Sequence, residues 1–254
     1  ACFTPLYSGN YASPDEYLFP DATQRRQHWF WPLGGDIGTD GHFHLFVAEM
    51  RELGAAYLTK TEPVATWIVT IELATMQVID RRPAPNASAA LYGWAVASDD
   101  QYTYLYSHCH RQFGWSTFPF VSPPVYVHDF TCSDIVRVGR VPKGRLDLEP
   151  AYWDGGSWVA SASQATDISP PGRWIDPMQI YFVDGRWLAV TKLGDWFGEK
   201  IVVDVASLPQ GPFTTVRTIP TPPRCPQCNT YFASLVPYPG TDGSMLIGIS
   251  NNVF

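Results

Sequence analysis

The sequence predicts an all-β chain folded as a β-propeller, and three observations carry that prediction. First, three stretches share one form: Trp67 to Pro83, Ile135 to Ala151 and Ile201 to Pro220. Each joins an alternating β-branched run, a small-residue turn and a second extended run. Second, upstream of each lies another strand pair that turns through acidic, mostly glycine-containing residues. These turns are Thr39-Asp40-Gly41, Ser98-Asp99-Asp100 and Asp184-Gly185. Third, a further pair surrounds Thr241-Asp242-Gly243, with no second hairpin after it. Repeated four-stranded units of this size belong to propellers. A propeller encloses a central funnel, the natural place for a ligand.

The elements follow in order within one domain spanning 1–254. Residues 1–28 are turn-rich and weakly periodic; they read as an N-terminal extension or as closing strands. The first unit covers about 29–82. Trp29 to Ile37 reads as its inner strand and His42 to Ala48 as the partner, where Phe43, Leu45 and Val47 alternate with His42, His44 and Phe46. Met50 to Lys60 reads as one or two helical turns, and Trp67 to Ile71 with Val78 to Arg82 complete the sheet. The second unit covers 91–158, with Tyr102, Tyr104 and Tyr106 on one face of its second strand. Its outer turn is Trp153-Asp-Gly-Gly-Ser-Trp158. The third unit covers 178–219 and turns at Asp184-Gly185, a hairpin pair. The fourth covers 229–254. Prolines at 83, 85, 170, 171, 220, 222 and 223 separate the units, because proline cannot continue a strand ladder.

Composition bounds the function. Charged residues make up 16% of the 254 residues, aromatics 15%, and ten are tryptophan, the balance of a rigid, β-rich extracellular protein rather than a disordered one. The net charge is −7 and no more than two Lys or Arg stand together, so nucleic acid is not an expected partner. No apolar run reaches membrane-spanning length. No leader is visible, so a secreted or cell-envelope protein would be read here as a mature or trimmed chain. The five cysteines are Cys2, Cys109, Cys132, Cys225 and Cys228. Structural disulfides are the leading reading; Cys225-Pro-Gln-Cys228 also admits a redox motif or half a zinc site. Asn86-Ala-Ser88 is a formal glycosylation sequon.

Loop lengths point to the site. The turns between first and second strands, and between third and fourth, are short and lie at one end. Long connections lie at the other end, which is where binding resides on a rigid scaffold. They carry Tyr57, Trp115, Phe118, Phe120, Trp174, Trp196 and Phe197 beside Glu49, Glu52, Asp129, Asp134, Asp176, Asp195 and Glu199. Aromatic faces stack on sugar rings, and two carboxylates flanking a glycosidic bond supply acid and base or nucleophile. Asp40, Asp99, Asp100, Asp184 and Asp242 read as turn residues. Asp36 follows Gly34-Gly35 inside an inner strand, where a solvated turn explains it less well. Glu49 ends the second strand beside the funnel mouth. His108 and His110 open a long loop and suit a ligand. Trp29, Trp31, Trp94 and Trp187 suit both sheet packing and sugar stacking. No Gly-x-Ser-x-Gly elbow, phosphate loop, dinucleotide fingerprint or His-Glu-x-x-His is present, and no cofactor or metal is called for.

The run from Ile135 to Val159, Met178-QIYFVDGRWLAVTK, Ile201-VVDVASLPQGPFT and Asn229-TYFASLVPYPGTDGSMLIGISNN together resemble a secreted actinobacterial five-bladed propeller family, formerly a domain of unknown function, that includes endo-D-arabinanases. Trp29-Phe-Trp-Pro32 is similar to its second blade. The resemblance implies five blades, of which three and a half to four are visible, and activity on cell-wall arabinan. The family's Phe-Gly-Asp-Thr strand end has no match; Val47-Ala-Glu49 is the nearest analogue. The chain then reads either as a fragment lacking a catalytic blade or as a divergent, noncatalytic member.

The expectation is a propeller that hydrolyses a furanoside polysaccharide or, alternatively, only binds a cell-wall glycan. Asp36 and Glu49 are the expected catalytic carboxylates. Trp31, Trp94, His108, Trp115, Asp176, Gln179, Trp196, Asn229 and Tyr231 are expected to line the sugar site.

Overall fold

The computed structural model describes residues 28–52, 61–85, 90–108, 135–170, 173, 178–193, 199–222, 228–236, 238 and 240–253. They form antiparallel sheets with no α-helix among them. The first blade is β1 (His28–Ile37), β2 (Phe43–Glu52), β3 (Thr61–Glu72) and β4 (Gln77–Pro83), paired in sequence order. The second is β5 (Ala95–Ser98), β6 (Tyr102–Tyr106), β7 (Val138–Pro142), β8 (Ala151–Trp153) and β9 (Trp158–Val159). The third is β10 (Gln179–Val183), β11 (Arg186–Leu193), β12 (Lys200–Ala206) and β13 (Thr214–Pro220). A hairpin of β14 (Cys228–Val236) and β15 (Leu246–Val253) follows.

The leading strands face one another around an axis: β5 lies beside both β1 and β10, and β10 beside β14. Sequential up-and-down sheets set edge to edge by their first strands are the blades of a β-propeller. Two details differ from the sequence reading. Met50 to Glu52 continue β2 instead of opening a helix, because β3 starts at Thr61 and pairs with them. The turn at 153–158 is a two-strand hairpin that gives the second blade a fifth strand.

Each seam between blades is a separate hydrophobic cluster. Phe46 and Ile68 of the first blade meet Tyr92, Leu105, Val141 and Tyr152 of the second. Tyr104, Tyr106 and Val138 of the second meet Ile180, Trp187 and Ala189 of the third. Leu188, Val190 and Ile201 of the third meet Ala233 and Leu235 of the last hairpin. Successive residues on a strand point to opposite faces, so the second and third blades each feed two seams at once. At the first seam Gly93 adopts φ +97, and a Cβ there would sit 2.4 Å from the Phe46 ring. Only glycine fits both demands. Asp184 (φ 50) and Gly185 (φ 74) form the tight two-residue turn joining β10 to β11.

Several polar groups in the seams and turns are paired. In the first blade His44 Nε2 lies 3.0 and 3.1 Å from the Asp40 oxygens, and Nδ1 lies 3.1 Å from Thr70 Oγ1. In the third, Arg173 grips the fully buried Asp204 at 2.6 and 2.9 Å. Removing one partner of a buried pair strands the other charge. Arg173→Ala should therefore lower the unfolding free energy by about 3–5 kcal/mol in urea titrations. The exposed Arg145–Asp147 pair should show no comparable loss on Arg145→Ala.

Partial burial pushes the Asp40 pKa upward, but the His42 backbone N–H and the His44 ring outweigh it and hold the group at about 2, below the 3.8 of a free carboxyl. A carboxylate depressed in the folded state stabilises above its unfolded pKa, and that contribution disappears as the pH falls through the folded value. The wild type should lose stability between about pH 4 and pH 2 more steeply than Asp40→Asn, as read from thermal melts across that range.

Candidate functional site

The long-loop end gathers ionisable and aromatic groups on buried strand ends. Glu49, near the end of β2, is 6% exposed, and one carboxylate oxygen accepts a 2.8 Å hydrogen bond from Trp67 Nε1. Trp67 pairs with Val47, two residues before Glu49 on the same face, so strand alternation delivers the indole to the carboxylate. His108 lies just past the end of β6, buried, with its ring 4.6 Å from that of Trp94 and tilted by 56°. Lys192, near the end of β11, is fully buried; its ammonium donates to the Thr230 carbonyl at 2.8 Å and lies 3.4 Å from Thr230 Oγ1, which ties the third blade to β14. The second strands of three blades thus bring a carboxylate, an imidazole and an ammonium to the same end of the ring.

Gln179 opens β10 and Trp31 lies on β1; both are half-buried at this end. Trp94 is 5% exposed and packs against His108, so its ring serves the core instead of offering a face to a sugar. Asn229 and Tyr231 occupy β14 near its start, with backbone placement alone described. Trp115, Asp176 and Trp196 lie outside the described residues, as do Cys2, Cys109, Cys132 and Cys225, on which the disulfide and zinc readings rest. Among the described residues, no group of three or more His, Cys, Asp or Glu side chains converges as a metal site, and no helix is long and apolar enough to cross a membrane.

The expected pairing of Asp36 with Glu49 does not occur. Asp36 pairs with His44 and Glu49 with Phe30, which sets them five residues apart along β2, roughly 17 Å. Glycosidase carboxylates stand about 5–10 Å apart. Asp36 sits at the short-turn end, where it joins two blades. It accepts hydrogen bonds from the Ser98 hydroxyl, from Thr103 Oγ1 at 3.1 Å and from the Ile37 N–H at 2.8 Å. Thr103 Oγ1 in turn accepts from the Gly144 N–H at 3.0 Å. Ser98 is 62 residues away in sequence, so no local pattern announces this contact. The clasp explains why the strand tolerates a half-buried carboxylate.

A family model matches residues 1–253. The chain belongs to the family described as Domain of unknown function (DUF5005). No curated protein matches it. Among solved structures, a "putative hydrolase" from Bacteroides ovatus aligns with 90% of this chain at a TM-score of 0.65 and 15% identity. The chain spans 57% of that protein's length. This likeness is one of fold. A GH43_1 enzyme from Xanthomonas citri aligns over 75% of this chain and 74% of that one at 12% identity, with a TM-score of 0.31 that is too low to bear on the fold.

Asp36→Ala should destabilise the protein by about 1–3 kcal/mol, because three hydrogen-bond donors lose their acceptor. It should leave any ligand affinity at the long-loop end unchanged; denaturant titration and ligand titration of the same variant check both halves.

Proposed function

We propose that this DUF5005 chain is a carbohydrate-active propeller that hydrolyses a cell-wall furanoside polysaccharide of the arabinan kind at its long-loop end. The observation that carries the reading is Glu49, a buried carboxylate held in one orientation by Trp67 Nε1 on the rim where Trp31, His108 and Gln179 also lie. A carboxylate so fixed suits general acid or base work at a glycosidic oxygen. The hydrolase description of the Bacteroides ovatus protein of like fold agrees with this reading. Trp115, Asp176, Trp196, Asn229 and Tyr231 would complete the sugar site. A secreted or cell-envelope location goes with it.

Hydrolysis needs a second carboxylate about 5–10 Å from Glu49. The candidates are the acidic residues of the long connections: Asp129, Asp134, Asp176, Asp195 and Glu199. A noncatalytic glycan-binding propeller is the second reading, favoured by the wide separation of Glu49 from Asp36.

Incubation with a panel of arabinans and other cell-wall glycans separates the two readings. Hydrolysis predicts release of new reducing ends, lowered at least about 100-fold by Glu49→Gln with the β-sheet circular dichroism unchanged. Unchanged turnover in Glu49→Gln would remove this residue from the chemistry. Retention of a glycan without release would establish the binding reading.

A further inference from the structure

Three buried polar atoms on one seam have no hydrogen-bond partner among the described residues: Thr66 Oγ1, Tyr92 Oη and Arg137 Nε. Thr66 is 1% exposed and Tyr92 3% exposed. All three belong to the junction of the first and second blades. Thr66 stands two residues before Ile68 on β3, on the same face, and Ile68 shares a buried cluster with Tyr92. Its carbonyl accepts a 2.8 Å hydrogen bond from the Ala84 N–H, and Ala84 belongs to that cluster too. Arg137 lies between Val136 and Val138, both of which face the opposite seam. Its side chain is thereby directed back toward the first blade, on the face of Val141. Tyr92 and Arg137 are close enough that the guanidinium counteracts part of the rise in the Tyr92 pKa to about 12, a rise caused by burial.

Arg137 and Thr66 both lie toward the long-loop ends of their blades. Arg137 and Ser107 exchange backbone-to-side-chain and backbone hydrogen bonds one step beyond the Tyr106–Val138 pair, toward the long loop that begins at His108. Thr66 pairs with Ala48, one residue before Glu49. Thr66 and Arg137 thus lie toward the same end of the ring as Glu49. The carboxylate of Glu149, in the second blade, accepts from Tyr152 Oη at 2.7 Å, and Tyr152 stands edge-on to Tyr92. That acid is engaged by another group.

An unfilled buried donor is costly, and a charged one more so. All three groups can donate a hydrogen bond, and one carries a permanent positive charge. A negatively charged oxygen satisfies them together, whereas a neutral hydroxyl would leave the guanidinium uncompensated. We propose that Arg137, Tyr92 and Thr66 form a carboxylate-binding subsite at the long-loop end of the seam between the first two blades. Within the glycan reading, on which this extension rests, the carboxylate is that of an acidic sugar, and the chain takes a uronic-acid-bearing polysaccharide.

The test is calorimetric and thermal-shift titration of the whole chain at constant ionic strength with sodium glucuronate, glucose and sodium acetate. Saturable binding of glucuronate but not glucose is expected, weakened at least about tenfold by Arg137→Gln. Tyr92→Phe keeps the ring, so it should fold normally, keep the stability of the free protein and still bind glucuronate several-fold more weakly. An equal response to acetate would support the subsite and assign it to free carboxylates instead of a sugar acid. No saturable binding of either carboxylate would overturn the proposal, as would binding indifferent to both substitutions; ordered water would then be the only occupant of the seam. The two readings fail separately. Glu49-dependent cleavage of neutral arabinan without carboxylate binding sinks this subsite alone, and carboxylate binding without glycan cleavage or retention sinks the glycan reading alone.

Discussion

Much in this molecule follows from a sheet having two faces and the second and third blades burying both of theirs. The second blade sends Tyr104, Tyr106 and Val138 into one seam and Leu105, Val141 and Tyr152 into the other. A sheet built this way cannot be stable alone, because both of its faces are apolar. The blades stabilise one another or not at all. Polar residues inside a seam are stabilised by partners across it, and the structure arranges this at Asp36 and Lys192.

The same constraint separates the two ends of the ring. At the short-turn end, acidic residues are consumed by local geometry. Asp99 accepts from the N–H groups of Gln101 and Tyr102 and from Tyr104 Oη. Asp242 closes its own turn through the Ser244 N–H. At the long-loop end, strands run out into ionisable side chains buried by neighbouring blades. That contrast locates the chemistry, because a carboxylate occupied by its own turn has nothing to give to a ligand.

The fold was largely legible in the sequence, since alternation and turn chemistry are local. Asp184-Gly185 announces its hairpin through two residues, and Phe43, Leu45 and Val47 alternate with His42, His44 and Phe46 as a strand requires. The site was less legible. Asp36 reads as a funnel-lining carboxylate because the partners that give it a structural role, Ser98 and Thr103, come from another blade. Trp94 looked like a sugar platform, and nothing local shows that the next strand end places His108 against it. His44 read as an ordinary strand residue; the only hint of its pairing was an acid four positions earlier. The solitary donors at Thr66, Tyr92 and Arg137 had no sequence signal, because a missing partner is a fact about three dimensions.

The junction of the first two blades is fastened at several independent points. Gly34 donates its N–H to the Gly93 carbonyl at 2.8 Å, Thr39 donates to Gly144 at 3.1 Å, Phe46 fills the place a Gly93 side chain would take, and Asp36 reaches Thr103. Separating the two blades breaks all of them together. Hydrogen exchange at the core amides of β2 and β6 would therefore proceed by a single shared opening, and the two blades constitute one cooperative foldon.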